Sequence, residues 1–418
     1  MINPMKLSKS VIAILALSIG AISIADHHDE TIQLTSISSI HSTNFGIDQS
    51  EIEDIKRAMQ AAVDEEFLPG ALLLVGNSEG IGLLETVGME GPESSTPINK
   101  DTIFRIYSMT KPIISVAIMT MVEDGMINLN DPLEKYIPEF ANLQVINRES
   151  GESRPAESSI TIENLLTHES GIIQAIFSPG SDLGKMYANE LQGDLTAQEF
   201  AARLGQLPVY FEPGTAWHYG HSTDVLGAVL EVAGGKSLDL VLAERIFEPL
   251  GMDETSFWVP VSKKYRIAEP IHGVMGDNTV PRKMLSGGGG LNSTTEDYVR
   301  FAEMLLNGGV LNGVRILSEA SVDLMSKNHL SDEILSDGAA FGLKGVGMGL
   351  TVGTIMDPGL AGTYSVKGEF FWGGAASTIF WVDRKNNVTA TMMTQYMPSD
   401  KYPLREELKT LLYSSLSN

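Results

Sequence analysis

The chain has 418 residues, of which 53 are acidic and 29 are basic, so its formal net charge is −24. With 43% hydrophobic and 20% charged residues, its composition is that of a globular protein and excludes a disordered or fibrous chain. The acidic excess argues against nucleic acid as a partner, because acidic side chains repel the phosphate backbone. The absence of cysteine excludes a thiol nucleophile, a disulfide framework and a cysteine-ligated metal.

The first 25 residues have the pattern of a secretory signal peptide. Lys6 and Lys9 precede an apolar run over 11–25, which ends in small residues at Ser23 and Ala25. The run is shorter than the roughly 20 apolar residues that a membrane-spanning helix needs. We therefore predict cleavage after Ala25 and a periplasmic or secreted protein without an integral membrane segment, with an uncleaved anchor as the alternative. Residues 26–48 are predicted to be a loose leader.

The mature chain is predicted to open with a helix and a hairpin. Apolar residues recur at helical spacing from about Ser50. Two strands are predicted to follow, over Ala71–Gly76 and Ile81–Val87, around the turn Asn77-Ser78-Glu79-Gly80. The helical positions are Ile52, Ile55, Met59 and Val63.

The other end of the chain mirrors this order. Strands are predicted over Ser377–Val382 and 388–395, followed by a helix over 402–416 with Leu404 and Leu408 on its apolar face. Consecutive hairpins give antiparallel pairing. The predicted fold class is therefore α+β: an antiparallel sheet flanked by N- and C-terminal helices, with a helical domain inserted between its halves.

The insertion is predicted to cover residues 106–284. Pro112–Met121 is almost continuously apolar, as in a buried helix, and shorter helical patterns follow it. The sheet domain is then discontinuous and comprises residues 49–105 and 285–418.

Ser108 stands apart as the only serine followed by lysine three positions later, at Lys111. Proline is tolerated only near the first turn of a helix, so Pro112 places the helix start close to Ser108. The hydroxyl then lies at the positive end of the helix dipole, and Lys111 shares its face. A serine hydroxyl becomes nucleophilic when a neighbouring base takes its proton, and a lysine amine can act as that base.

Two further segments could complete such a site. Tyr219, in the segment Trp217-His218-Tyr219-Gly220-His221, offers a phenol that both donates and accepts a proton. Trp372-Gly373-Gly374-Ala375 leads towards the C-terminal hairpin, and its glycines allow a substrate to approach the backbone closely. Each segment alone is equally compatible with a structural loop.

Taken together, these three segments resemble the serine β-lactamase and penicillin-binding superfamily, whose signature is S-x-x-K, a middle S-D-N motif and K-T-G. The tyrosine motif and Trp372-Gly373-Gly374 are most similar to the class C β-lactamase branch and to family VIII carboxylesterases. Three further stretches fit the same branch, and the resemblance covers about residues 50–415. These stretches are Asp131–Glu139, Leu165–Gly171 and Gly287–Leu291.

The resemblance implies a role for each residue. Ser108 is the acylated nucleophile, and Lys111 and Tyr219 share the general-base and general-acid work. The backbone N–H groups of Ser108 and Ala375 form the oxyanion hole, and no metal or organic cofactor is implied. The family fold also agrees with the predicted arrangement of the sheet and the insertion.

Departures from the family pattern indicate the substrate. Trp372-Gly373-Gly374 lacks the cation and hydroxyl of K-T-G, and a lost charge-assisted hydrogen bond costs about 1.5–3 kcal/mol. His221 replaces the asparagine of the middle motif, which places amide recognition in doubt. We therefore expect a small-molecule ester substrate with a short acyl chain. The alternatives are a β-lactamase, a D-amino-acid peptidase or amidase, and a catalytically inactive envelope binding protein.

The sequence argues against two other chemistries. Ser222 lies in Gly220-His221-Ser222-Thr223-Asp224, which lacks the final glycine of the G-x-S-x-G elbow, so it is a poor nucleophile candidate. His168, His218 and His221 lack the spacing of an H-E-x-x-H metal site. The sequence does not reveal the oligomeric state.

Overall fold

The computed structural model describes residues 47–178, 180–273, 275–336, 342–399 and 402–416. The predicted signal peptide and all but the last two residues of the predicted leader lie outside these ranges. No helix in the described ranges is long and apolar enough to cross a membrane.

The helices of the described residues carry the labels α1 to α13 in chain order. They are α1 Gln49–Asp64, α2 Thr110–Glu123, α3 Ile162–Leu166, α4 Asp182–Glu190, α5 Ala197–Leu204, α6 Ser222–Gly234, α7 Leu238–Leu242, α8 Glu248–Leu250, α9 Thr295–Leu306, α10 Glu319–Met325, α11 Asp332–Ser336, α12 Pro358–Ala361 and α13 Leu404–Leu416.

The strands are short apart from those near the two ends of the chain. They are β1 Gly70–Asn77, β2 Gly80–Gly88, β3 Ile103–Arg105, β4 Gln144–Ile146, β5 Ser153–Pro155, β6 Asn292–Thr294, β7 Val310–Leu311, β8 Val314–Arg315, β9 Val346–Met348, β10 Gly353–Ile355, β11 Phe370–Gly373, β12 Ile379–Asp383 and β13 Val388–Thr394.

A seven-stranded antiparallel sheet joins the two ends of the chain. Its strand order is β2-β1-β13-β12-β11-β10-β9, so the first strand pairs directly with the last. In that central pair Leu73 lies opposite Met392. Both predicted hairpins are confirmed, β1–β2 at the start and β12–β13 at the end, with boundaries shifted by at most two residues.

The terminal helices pack on one face of this sheet. Met59 of α1 and Leu408 of α13 are buried in one cluster with Leu73 and Trp381 of the sheet. Side chains alternate between the two faces of a strand, so the neighbouring Leu72 and Leu74 join the larger cluster on the opposite face, with α2 and α9. The predicted α+β fold with flanking terminal helices is confirmed.

Helices are the main regular structure of the segment between β3 and β6. It contains α2 to α8 and one short strand pair, β4–β5. The predicted buried helix is α2, in which twelve of fourteen residues are buried, so its surroundings are apolar on all sides. Strands β3 and β6 pair with each other and close the segment at its base. The domain boundaries at 105/106 and 284/285 remain predictions.

Candidate active site

Ser108 lies at the start of the buried helix, as the spacing predicted. It is the middle residue of a 3₁₀ turn, Tyr107–Met109, that leads directly into α2. Pro112 is the third residue of α2, where its missing N–H leaves no helical hydrogen bond unmade. Tyr107 has a φ of 43°, a left-handed conformation that is uncommon for residues with side chains. This bend precedes the serine directly.

The hydroxyl of Ser108 is in contact with both predicted partners. The Tyr219 hydroxyl donates a hydrogen bond to Ser108 Oγ at 2.8 Å. Lys111 Nζ lies 3.4 Å from the same oxygen and 4.7 Å from the centre of the Tyr219 ring. An amine, a phenol and a hydroxyl within this range can exchange a proton without a large movement.

A closely packed aromatic group holds the Tyr219 ring. The His168 ring is centred 4.8 Å away, and Phe177 meets Tyr219 edge-on at 5.2 Å. Trp372 lies 6.1 Å from it on the sheet side. His168 is fully buried, so its pKa is well below the ordinary value, first because of burial and then because of the nearby Lys111 charge. The ring next to Tyr219 is therefore neutral at neutral pH.

The carboxylate of Asp224 supports Lys111 indirectly, through the main chain of Gly288. Lys111 is 3% exposed, and its Nζ donates to the carbonyl oxygen of Gly288 at 2.5 Å. The Gly288 N–H in turn donates to Asp224 Oδ1 at 2.9 Å. A side chain at position 288 would meet the Asp224 carboxylate at 2.7 Å, so only glycine allows this approach.

Asp224 is buried and ionised. His221 Nδ1 lies 2.8 Å from its Oδ2, and the Ser286 hydroxyl donates to its Oδ1 at 2.6 Å. Burial raises the pKa of Asp224, but the hydrogen bonds and charges of its neighbours outweigh burial and lower the pKa to about 2.

The predicted oxyanion segment follows strand β11. Trp372 and Gly373 belong to β11, and residues 374–378 form the turn into β12. A Cβ on Gly374 would lie 2.4 Å from the Ile106 carbonyl oxygen, so this glycine lets the turn pack against the backbone that precedes Ser108. Ala375 is exposed, and its N–H has no acceptor among the described residues. That N–H is therefore free to bind a substrate oxygen.

Ser108, Tyr219 and the segment from Trp372 to Ala375 line one cavity of about 590 Å³. Most of its wall is apolar, and its charged members, Arg405 and Glu406, come from the start of α13. The lining residues are Ser108, Phe177, Trp217, His218, Tyr219, Leu343, Phe371, Trp372, Gly373, Gly374, Ala375, Ile379, Ser399, Arg405 and Glu406.

The structure therefore brings together Ser108, Lys111, Tyr219 and the segment from Trp372 to Ala375. Trp372 lines the cavity, although the residue is only 2% exposed. His221 differs from the expectation, since it does not line the cavity. Its ring instead contacts Asp224 and packs edge-on against Phe200. It precedes α6, where its hydrogen bond with Asp224 fixes its position.

Other residues of the site gave no distinct signal in the sequence. Asp224 looked like an ordinary helix residue, and Gly288 belonged to a run of glycines. Arg405 looked like one of several charges on a terminal amphipathic helix. Each becomes part of the site only because the fold brings segments together that are between 31 and 177 residues apart.

The structure also shows where the alternative nucleophile, Ser222, and the histidine His218 lie. Ser222 is fully buried and shares a hydrogen bond with Ser170 at 2.8 Å, so no substrate reaches it. His218 lines the cavity, and burial lowers its pKa. Within the described ranges, no three His, Asp or Glu side chains are grouped closely enough to hold a metal ion.

Comparison with known proteins identifies the family. Residues 55–413 match the Beta-lactamase family. The chain belongs to this family. The matched range includes the S-x-x-K serine, the tyrosine segment and the Trp-Gly-Gly strand.

Several known proteins are similar to the chain over most of its length. A Mycobacterium tuberculosis protein is 33% identical over 361 residues, which cover 82% of this chain and 89% of that protein. Esterase EstB of Burkholderia gladioli is 28% identical over 390 residues, covering 85% and 93%. The solved structure of EstCE1, described as a hydrolase with promiscuous acyltransferase activity, superposes with a TM-score of 0.74. It is 23% identical, and the match covers 87% of this chain and 99% of EstCE1.

Proposed function

We propose that this protein is a serine carboxylesterase that hydrolyses short-chain esters through an acyl-enzyme on Ser108. The observation that carries the proposal is the 2.8 Å hydrogen bond between Tyr219 and Ser108, with Lys111 Nζ 3.4 Å from the same oxygen. The similarity to esterase EstB supports an ester as the substrate.

The reaction has two halves. In the first, Ser108 Oγ bonds to the ester carbonyl carbon while its proton passes to the Lys111–Tyr219 pair, and the backbone N–H groups of Ser108 and Ala375 bind the resulting oxyanion. The alcohol then leaves with the proton from the pair. In the second half, water attacks the acyl carbon, gives a proton to the pair and releases the acid, and Ser108 regains its hydrogen.

The shape and polarity of the cavity favour a small ester. Phe177, Trp217 and Leu343 provide apolar walls around the nucleophile, suited to an uncharged acyl group. Arg405 adds a positive charge to the wall, which the Trp-Gly-Gly motif alone did not indicate. Its guanidinium, however, already donates three hydrogen bonds to main-chain carbonyls.

The test compares substrates on the purified protein. We expect kcat/KM for p-nitrophenyl acetate or butyrate to exceed that for a chromogenic cephalosporin by at least about tenfold, equivalent to about 1.4 kcal/mol. A preference for the cephalosporin would replace the proposal with the β-lactamase alternative. A preference for a D-alanyl peptide or amide would favour a peptidase or amidase.

A second experiment separates an enzyme from an inactive binding protein. A fluorophosphonate should label the wild-type protein, and peptide mass spectrometry should locate the adduct on Ser108. The Ser108→Ala variant should remain unlabelled. Absence of an adduct on the folded wild-type protein would support the binding-protein alternative.

We also propose that the protein is exported after cleavage at Ala25. This proposal rests on the sequence of the first 25 residues. Expression of the full chain in a bacterium with an outer membrane, followed by fractionation and N-terminal mass analysis, should show a periplasmic or secreted chain beginning at Asp26. An intact Met1 on a membrane-bound protein would contradict it.

A further inference from the structure

The turn that carries Ala375 makes few internal hydrogen bonds. Gly374 N–H donates to Thr378 O at 2.8 Å, and Ser377 N–H donates to Gly374 O at 3.1 Å. Ser377 has a φ of 71°, which is an unfavourable conformation for a serine. A turn of this kind keeps its shape only if its surroundings hold it.

A single side chain from another part of the chain contacts this turn at three points. Arg405, in the first turn of α13, donates from Nη2 to Gly374 O at 2.7 Å and to Thr378 O at 2.8 Å. Its Nε donates to Ser377 O at 3.2 Å. Gly374 precedes Ala375 and Ala376, and Ser377 and Thr378 follow them, so the guanidinium links the two ends of the turn.

Arg405 has one acidic neighbour in the cavity wall, Glu406, whose charge favours the charged form of the guanidinium. In the part of the chain that the structure describes, no carboxylate forms an ion pair with it. Burial lowers its pKa to about 10, which still leaves it charged at neutral pH. The charged guanidinium beside the turn adds a positive potential where the substrate oxygen would become negative, and the charge of Glu406 offsets part of it.

We propose that Arg405 is a positioning residue that holds the 374–378 turn, and with it the Ala375 N–H, in the geometry that stabilises the oxyanion. This inference rests on the proposed acyl-enzyme function, since the oxyanion arises in that reaction. It assigns a role to a residue of the C-terminal helix, more than 290 residues from Ser108 in the sequence.

The guanidinium has a geometry that other side chains lack. Its planar fork reaches several carbonyls at once, whereas a lysine ammonium is a point charge on a flexible stem. Arg405→Lys therefore keeps the charge and loses the fork, and Arg405→Gln keeps one donor group and loses the charge. Arg405→Ala removes both, and leaves a space that methylguanidinium could enter.

The first measurement is kinetic, with p-nitrophenyl acetate as substrate. We expect Arg405→Ala to lower kcat by about 10- to 100-fold with KM within about threefold, because a misplaced site loses transition-state stabilisation rather than ground-state binding. Added methylguanidinium should restore part of kcat. Arg405→Lys should recover less than half of the lost activity.

The matched control is Arg203→Ala. Arg203 also donates to two main-chain carbonyls, those of Glu190 and Gln192, but it does not line the cavity. The kcat of Arg203→Ala should stay within about twofold of wild type.

An inhibitor that forms an oxyanion adduct, such as a trifluoromethyl ketone, gives an independent measure. It should bind Arg405→Ala more weakly than wild type, by the same factor by which kcat/KM falls.

The second measurement does not depend on activity. Hydrogen exchange of the Gly374 and Ser377 amides, both bonded within the turn, should be at least about tenfold faster in Arg405→Ala and in Arg405→Gln, with exchange in α2 unchanged. If Arg405→Ala does not fold, Arg405→Gln replaces it in every assay.

The outcomes are distinct. Unchanged exchange of the turn amides, or a folded Arg405→Ala with kcat/KM within twofold of wild type, overturns the inference about Arg405. A loss confined to KM also overturns it, because that would assign Arg405 to substrate binding. A wild-type protein that hydrolyses no ester and takes no fluorophosphonate overturns the proposed function, while faster turn exchange in the variants would still support the positioning of the turn by Arg405.

Discussion

Asp224 is connected to Lys111 through the main chain of a single residue, Gly288. The carboxylate accepts the N–H of Gly288, and the carbonyl of the same glycine accepts Lys111 Nζ. A buried, ionised side chain on α6 thereby fixes the amine beside Ser108 without touching it. The position of Lys111 is therefore defined on one side by the helical turn that follows Ser108 and on the other by the main chain of Gly288.

The first prediction concerns this connection. In Asp224→Asn, a neutral amide replaces the carboxylate that contacts the Ser286 hydroxyl, the Gly288 N–H and the His221 ring. We expect this change to lower the free energy of unfolding by about 2–4 kcal/mol at pH 7. The kcat should fall as Lys111 loses its fixed position. Urea unfolding and ester kinetics on the same preparation measure both effects.

The pH dependence of this effect has a definite sign. The pKa of Asp224 lies at about 2 in the folded protein, below its ordinary value of 3.8. Its stabilisation is then fully present above about pH 4 and is lost as the pH falls towards 2. The stability difference between wild type and Asp224→Asn should be constant from pH 5 to 8 and shrink in acid. A difference that grows in acid would contradict the assignment.

The second prediction concerns the phenol. Tyr219→Phe keeps the ring among its aromatic neighbours and removes the hydroxyl that bonds Ser108. Since positioned acid–base groups contribute about 10²–10⁴-fold, kcat should fall within that range while KM changes little. Tyr210→Phe is the matched control, because the Tyr210 hydroxyl accepts a hydrogen bond from Arg148 away from the serine. A Tyr219→Phe variant with more than a third of wild-type kcat would exclude proton transfer through the phenol.

The third prediction distinguishes two serines. Ser108→Ala should lower ester hydrolysis by at least about 10³-fold, as loss of a nucleophile does in other serine hydrolases. Ser222→Ala should keep activity within a few-fold, because Ser222 is buried against Ser170. It should cost about 1 kcal/mol of stability through the lost hydrogen bond. Strong inactivation by Ser222→Ala with normal stability would reopen the Ser–His–Asp alternative.

The parts of the fold that were predictable from sequence depend on local patterns. Met59 and Leu408 each belong to a set of apolar residues at helical spacing, and this spacing indicated the two terminal helices. The apolar face of each helix packs against the sheet. The position of Pro112 fixed the start of α2 and therefore the place of Ser108. In each case the residues that carry the pattern lie within a few positions of one another.

The parts that were not predictable depend on contacts between distant segments. His221 occupies the motif position of a substrate-binding side chain, yet a carboxylate three residues later holds its ring away from the cavity. Arg405 supplies a cation that the Trp372-Gly373-Gly374 motif lacks, but it comes from the C-terminal helix. Sequence periodicity contains no information on which side chain will meet a turn from another strand.

The last prediction concerns a buried carboxyl group away from the site. Glu303 of α9 is 3% exposed and lies against the backbone of Gly76 in β1, and its Oε1 has no hydrogen-bond partner among the described residues. Burial raises its pKa to about 7, with Arg300 opposing the shift. The folded protein therefore binds this proton more tightly than the unfolded chain does.

It follows that Glu303 weakens the fold as the pH rises from about 4.5 to above 7, by about 3 kcal/mol if the full shift applies. Glu303→Gln removes the ionisation and keeps the shape. We expect the two proteins to be equally stable at pH 4, and the variant to be more stable at pH 8. The exposed Glu93→Gln serves as the control and should show no such trend. If the free energy of unfolding changes with pH in the same way for wild type and Glu303→Gln, the prediction is wrong. The carboxyl group would then be ionised in the folded protein, because water or a movement of α9 relieves its burial.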